Sequence, residues 1–207
     1  TLLYDKRSDT LWIGTKAGLY ILHCSTQEIE QLILPKDALL DNVVYLSFAT
    51  DGDIWITNLY HSIIKYNPST HKYTVLGTPN IKGIHFAYSC AIDDGKGHLY
   101  VGQSQAGMSI IDLKDLTLHT FKHNPDDPKS IPSDWVTNIY IDHFQNIWAG
   151  TKQGLALFNP QRGNFTNFHH QLGDSTSILS DDICHIAEID DKLWISSDLG
   201  GVSILNL

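Results

Sequence analysis

The chain has 207 residues, of which 42% are hydrophobic and 18% charged, and its formal net charge is −9. This composition is typical of a globular protein. The acidic excess argues against nucleic acid as a partner, because phosphate binding depends on clustered Lys and Arg. No segment approaches the roughly 18 consecutive apolar residues of a membrane helix, so we expect no direct membrane contact in this region. Because the first residue is Thr1 and a strand-like LLY follows at once, we expect a fragment of a longer protein.

Along the chain, one aromatic residue recurs every 43 to 48 positions, each time between two aliphatic or small residues. In the first and fourth copies it lies within LWIGTKAGL and IWAGTKQGL, which share their order of residue types. Short, continuously apolar segments of this kind indicate strands that are buried on both faces. The five aromatic positions are Trp12, Trp55, Tyr100, Trp148 and Trp194.

Each copy reads as four strands, and the aromatic residue lies on the second. Asp93-Asp94-Gly95 separates a first strand from a second, while Asn67-Pro68 and Asn159-Pro160 separate a third from a fourth. Four antiparallel strands repeated at this period predict an all-β fold, a β-propeller. We expect each aromatic side chain to pack between neighbouring blades, and the glycine two positions later to let the following loop turn. The predicted blades are residues 1–34, 42–78, 84–122, 134–169 and 181–207.

The fifth copy lacks a fourth strand, since the sequence stops after GGVSILNL. An open blade would leave apolar surface and unpaired strand edges in water. The five blades are therefore expected to be part of a larger propeller; the alternative is a closed five-bladed ring.

Two joints between blades carry a longer shared pattern. HNPDDPKSIPSDWV from His123 and HQLGDSTSILSDDI from His170 have the same spacing of His, Ser-Ile and Ser-Asp. Together with the Trp-containing units, they resemble the two-component-regulator propeller repeats, most specifically those in the periplasmic sensor regions of hybrid two-component systems from polysaccharide-degrading gut bacteria. The resemblance is weaker in the second copy, where Thr57-Asn58 replaces Gly-Thr, and in the third, where Tyr100 replaces Trp.

The resemblance implies two seven-bladed propellers outside the inner membrane, of which five blades would be a portion. It also implies a parent histidine kinase, an oligosaccharide ligand, and a homodimer formed by the intact ectodomain. The predicted function is thus periplasmic ligand sensing by a region that is not itself an enzyme.

Repetition helps to separate structural residues from functional ones. Asp41, Asp134 and Asp181 all precede a first strand, so we interpret them as caps that accept backbone N–H groups. A glycosidase or lyase on a five-bladed ring remains the alternative, because two such carboxylates could meet near the propeller axis. A second alternative is a dimerisation platform that senses nothing.

Metal and cofactor sites are not predicted. Of the eleven histidines, none are spaced as ligands on one element, and the adjacent His169 and His170 would point apart on a strand. Cys24, Cys90 and Cys184 form no C-x-x-C pair and are interpreted as small core residues.

The candidate ligand-binding residues are those that break the repeat, in the loops between second and third strands or just before first strands. Aromatic faces cover the C–H side of a sugar ring, and amide or charged groups take its hydroxyls. Trp135 leads the set because Asn42 and Asp182 occupy its place in other copies. The full set is Trp135, Tyr60, His61, His85, Tyr88, Gln105, Lys152 and Asp198.

Overall fold

A computed structural model describes residues 1–36, 38–59, 62–76, 81, 88–198 and 200–207. The regular elements in this part of the chain are all β-strands, which form five antiparallel sheets. Strands follow one another in sequence order within every sheet. The described residues contain no helix with the length and apolar character needed to cross a bilayer.

The strand bounds follow chain order. The first sheet contains β1 (Leu2–Asp5), β2 (Thr10–Thr15), β3 (Gly18–His23) and β4 (Glu28–Leu32). The second contains β5 (Val43–Phe48), β6 (Ile54–Asn58), β7 (Ile63–Tyr66) and β8 (Tyr73–Leu76). The third contains β9 (Tyr88–Asp93), β10 (His98–Gln103), β11 (Gly107–Asp112) and β12 (Leu118–Phe121). The fourth contains β13 (Val136–Ile141), β14 (Ile147–Thr151), β15 (Gly154–Asn159) and β16 (Asn164–Phe168), and the fifth contains β17 (Ile183–Ile189), β18 (Lys192–Ser197) and β19 (Gly201–Asn206).

Such meanders are the blades of a β-propeller, so the predicted fold class is confirmed. The chain forms two compact units: residues 1–99 with 111–118, and residues 100–110 with 119–207. The third sheet contributes residues to both.

The local sequence explains where the strands form and where the chain turns between them. β6 and β14 are buried at every position, as their apolar sequences predict. The turns after the third strands are held by asparagine: the Oδ1 atoms of Asn67 and Asn159 accept the backbone N–H groups of Thr70 (2.8 Å) and Arg162 (3.1 Å). These turn positions agree with the sequence prediction.

In the first unit, the core forms between consecutive sheets. Trp12 is only 3% exposed and packs with residues of the second sheet, including Leu46 and Ile54. Its indole meets the Tyr66 ring edge-on, with 5.9 Å between the ring centroids. The prediction that this aromatic residue packs between blades is confirmed here.

In the second unit, Trp148 has the same role. It is buried in a cluster with Ile183, Ile186 and Leu193 of the fifth sheet. The hydroxyl of Thr137 donates to the carbonyl oxygen of Ile183 (2.6 Å), so a hydrogen bond also joins the two sheets.

The glycine two positions after the tryptophan has a different role from the predicted one. A Cβ atom on Gly14 would lie 2.7 Å from Cγ1 of Val43, and one on Gly150 would lie 2.7 Å from Cγ2 of Ile183. Neither glycine has a positive φ. The prediction that this glycine makes the loop turn is therefore wrong: it lets the first strand of the next sheet approach β2 or β14 closely.

Trp194 and the three cysteines differ in their exposure. Trp194 is 38% exposed, on the face of the fifth sheet that it shares with Val202 and Ile204. Among the cysteines, Cys90 is buried as predicted, whereas Cys24 is half-buried and Cys184 is exposed on β17, so the interpretation as a core residue is wrong for Cys184.

Candidate functional site

Half of the predicted ligand-binding residues can be placed with their side chains. Tyr60, His61 and His85 lie outside the described residues. Tyr88 begins β9, and its side chain lies outside the described part as well. The remaining four all belong to the second unit: Gln105, Trp135, Lys152 and Asp198.

In the fourth and fifth sheets, a backbone hydrogen bond ties the loop after the second strand to the segment before the first strand of the same sheet. The N–H of Lys152 donates to the carbonyl of Trp135 (3.1 Å), and the N–H of Asp198 donates to the carbonyl of Asp182 (2.8 Å). The bond is equivalent in the two sheets. Trp135 and Asp182 therefore occupy the same structural place, as the sequence alignment indicates.

The same loops are tied to the following sheet. The N–H of Gly107 donates to the carbonyl of Asp134 (2.8 Å), the residue before Trp135. The N–H of Gly154 donates to the carbonyl of Asp181 (2.7 Å), the residue before Asp182. Gln105, which is exposed and has a φ of 68°, lies on the loop that Gly107 ends. These bonds place the loop of Gln105 beside the segment of Trp135.

We call the surface formed by Gln105, Trp135, Lys152, Asp182 and Asp198 the loop face. Trp135 is 41% exposed on it. Its N–H donates to Ser133 Oγ (3.1 Å), just as the N–H of Asp182 donates to Ser180 Oγ (3.3 Å). The backbone is thus the same at the two places, and the exposed side chain is what differs.

A single ion pair dominates the electrostatics of the loop face. Lys152 Nζ lies 2.8 Å from the Asp182 carboxylate, with both side chains about one-third exposed. This hydrogen bond raises the pKa of Lys152, so its ammonium group stays charged at neutral pH. Asp198 is exposed nearby, and together the three groups leave a small negative charge.

A half-open cleft of about 420 Å³ lies next to Lys152, which precedes Gln153 on the cleft wall. Most of its lining residues carry polar side chains, among them His123, Gln153, His169 and Asp181, and Pro132 on the same wall is close to Trp135 in sequence. This volume is within the range of small-ligand sites. The cleft and the exposed indole could therefore contact neighbouring parts of one ligand.

The recurring residues of the joint segments have structural roles. His123 donates from Nδ1 to the carbonyl of Ile131, and His170 does the same to Ile178, both at 2.8 Å. Ser130 Oγ accepts the N–H of Asn124 (2.9 Å), and the second joint repeats this bond at Ser177. The shared pattern is therefore explained by loop conformation.

Asp134 and Asp181 act as the predicted caps. Their carboxylates accept the backbone N–H groups of His123 (2.7 Å) and His170 (2.6 Å). Since each carboxylate holds its own loop in the same way, neither has the asymmetric setting that distinguishes a general acid from a base.

The sequence prediction left Asp182 out of the binding set, although it pairs with Lys152. Asp182 could have been selected from the sequence, because it aligns with Trp135 in the repeat. Among the described residues, one group of three could hold a metal ion: His143, Glu188 and Asp191. They lie at the other end of β13 and β17 from the loop face.

Comparisons with known proteins agree with the repeat pattern. Residues 130–153 match the sequence model of the family described as "Two component regulator propeller". No match to the chain is found among the curated proteins.

Among solved structures, the extracellular domain of the proposed hybrid two-component system BT3049 from B. thetaiotaomicron is 28% identical, with a TM-score of 0.83. The alignment covers 100% of this chain and 27% of that one, so the chain spans about a quarter of its relative. The extracellular domain of a second such system from the same organism, BT4673, is 14% identical over 100% of this chain and 30% of that one (TM-score 0.70).

A gluconolactonase from Xanthomonas campestris, XC5397, is 14% identical over 99% of this chain and 70% of that one, with a TM-score of 0.67. The likenesses to BT4673 and to the gluconolactonase show the fold alone. The similarity to the extracellular domain of BT3049 and the matched repeat together confirm the resemblance to the two-component-regulator propeller repeats.

Proposed function

We propose that this propeller region senses an oligosaccharide in the periplasm, as part of a hybrid histidine kinase that controls polysaccharide utilisation, and that the loop face binds the ligand. The observation that carries the proposal is the exposed indole of Trp135, at a place where the equivalent residue in the next sheet is Asp182. A site needs such asymmetry, because features common to all blades already serve the fold.

The chemistry of the loop face suits a sugar. An indole covers the apolar C–H face of a pyranose, and the flanking Gln105, Lys152 and Asp198 offer amide, ammonium and carboxylate partners for hydroxyl groups. The adjoining polar cleft gives room for a second sugar unit.

Signalling requires that the ligand favour one of two states. We propose that the intact ectodomain is a homodimer whose geometry shifts when the loop face is occupied, and that this shift is passed to the membrane. The glycosidase or lyase alternative is not favoured, because Asp134 and Asp181 both hold loops.

Isothermal titration calorimetry with a panel of plant and host oligosaccharides tests the proposal. We expect one oligosaccharide class to bind the chain and Trp135→Ala to weaken that binding at least tenfold. Trp194→Ala is the matched control, since Trp194 is similarly exposed (38% against 41%) but lies outside the loop face.

Equal losses in the two variants, or none in Trp135→Ala, would show that the loop face is not the site. If the intact ectodomain dimerises but binds no glycan, the platform alternative is correct. Turnover of a glycan that Asp134→Asn abolishes would establish the enzyme instead.

A further inference from the structure

Two turns meet at the end of the second unit opposite the loop face. The turn between β13 and β14 carries His143, and the turn between β17 and β18 carries Asp190 and Asp191. Glu188 lies near the end of β17. Although 45 residues separate His143 from Glu188, the two side chains are in direct contact.

The His143 imidazole is held in one orientation. Its Nδ1 hydrogen-bonds to Oε1 of Glu188, while its backbone N–H donates to Oε2 of the same carboxylate (3.0 Å). Phe144 packs on the ring, with 3.8 Å between the centroids. In the neutral imidazole, with Nδ1 donating to the carboxylate, Nε2 carries the lone pair and is the nitrogen that can bind a metal.

Asp191 lies on the Nε2 side. Its Oδ1 atom is 3.7 Å from Nε2, which is too long for a hydrogen bond. Two ligands of one tetrahedral zinc ion, each about 2.0–2.1 Å from the metal, are separated by roughly 3.3 Å. A small rotation of the exposed Asp191 side chain would give that separation.

The backbone fixes the position of Asp191. Asp190 and Asp191 both have positive φ values, 51° and 58°, as the two central residues of a type I′ hairpin turn do. The N–H of Leu207 donates to the carbonyl of Asp191 (3.2 Å), which ties the turn to the chain after β19.

We propose that His143 Nε2 and the Asp191 carboxylate bind a divalent transition-metal ion of the zinc type, with water completing its coordination, and that Glu188 positions the imidazole. A carboxylate that accepts the other ring N–H is the usual companion of a metal-binding histidine. The mixed nitrogen and oxygen donors suit zinc, whereas calcium and magnesium prefer oxygen ligands alone. This site is independent of the loop face and of the proposed sensing function.

A metal ion at this place would link the turns of the fourth and fifth sheets. His143 and Asp191 belong to different sheets, so an ion that binds both stabilises the folded state over the unfolded one, in which the two residues are apart. Zinc should therefore raise the melting temperature of the chain.

Titration of the metal-free chain with zinc chloride, followed by calorimetry and by NMR of the histidine ring protons, tests the proposal. We expect saturable one-site binding that shifts the His143 resonances and raises the melting temperature, and no such response to magnesium chloride. His143→Ala and Asp191→Asn should each abolish the response, and Glu188→Gln should weaken binding about 10- to 100-fold.

His98→Ala is the matched control. His98 is similarly exposed and its Nδ1 also bonds to a carboxylate, that of Asp94 (2.8 Å), but it is not in the three-residue group found among the described residues. This variant should bind zinc as the parent chain does. Zinc binding that survives in His143→Ala and Asp191→Asn, or that disappears equally in His98→Ala, would overturn the proposal, as would no saturable binding by the parent chain.

Discussion

The indole N–H of Trp55 donates a 2.6 Å hydrogen bond to the carboxylate of Asp93, which ends the first strand of the following sheet. The same carboxylate accepts the hydroxyl of Thr50 (2.5 Å) and the N–H of Gly95 (3.0 Å). One buried aspartate thus satisfies donors from two neighbouring sheets of the first unit.

Replacing this aspartate should be costly. Asp93→Ala leaves the buried Trp55 N–H and its neighbours without an acceptor, so we expect a loss of about 2–4 kcal/mol in the free energy of unfolding. Urea denaturation of the chain measures it. As a control, Asp126→Ala on the exposed joint segment should change the free energy by less than about 0.5 kcal/mol. Equal effects of the two changes would show that Asp93 does not join the sheets energetically.

Gly150→Ala should destabilise the second unit. The new Cβ would lie 2.7 Å from Cγ2 of Ile183, and such overpacking costs about 1–3 kcal/mol. The cost should fall when Ile183 is also changed to Ala, which removes the clashing methyl group. A double-mutant cycle based on urea unfolding measures this coupling. Strict additivity of the two changes would contradict the close-approach role of the glycine.

Stability in acid should depend on Asp5. The hydrogen bond from Arg7 lowers the pKa of this carboxyl group below its ordinary value, because the ionised form accepts from the guanidinium (2.9 Å). The ionised form therefore stabilises the fold above the unfolded-state pKa, and this contribution is lost as the pH falls through the lower, folded-state pKa. Asp5→Asn should be less stable than the parent chain at neutral pH.

The difference between Asp5→Asn and the parent chain should shrink steadily as the pH is lowered below about 4. Urea unfolding of both proteins over a range of acidic pH measures it. A constant difference down to the lowest pH would mean that ionisation of Asp5 does not matter to the fold.

If the loop face binds a sugar, Asp182 should influence which sugars it accepts. Asp182→Asn removes the negative charge that balances Lys152 and leaves an uncompensated ammonium charge beside Trp135. We expect the variant to gain affinity for oligosaccharides that contain uronic acid, relative to neutral ones of the same length. Calorimetry with matched neutral and acidic oligosaccharides tests this. An unchanged preference would place the ligand away from Lys152.

The blades can be predicted from the sequence because the residues that pack one sheet against the next recur along the chain. Trp12 and Trp148 recur at a fixed spacing, and both are buried against the next sheet. The prediction for Gly150 is wrong because its close contact is with Ile183, a residue 33 positions away that only the packing of two sheets brings near.

The candidate site was less accessible to sequence reasoning. Trp135 could be selected as a candidate from the sequence because it breaks the repeat. The pairing of Lys152 with Asp182 depends on side-chain directions across two sheets. The contact between His143 and Glu188 likewise has no local spacing signal, since the residues lie on different sheets.

Trp135 and Asp182 accept equivalent backbone hydrogen bonds, although their side chains differ in size and charge. The same main-chain bond holds each segment against its loop although the two outward side chains differ, so this bond does not depend on which side chain projects there. A different residue can therefore be substituted at either position without loss of this backbone hydrogen bond. If the loop face binds the ligand as proposed, exchanging one such exposed residue should change the ligand preference and leave these backbone bonds in place.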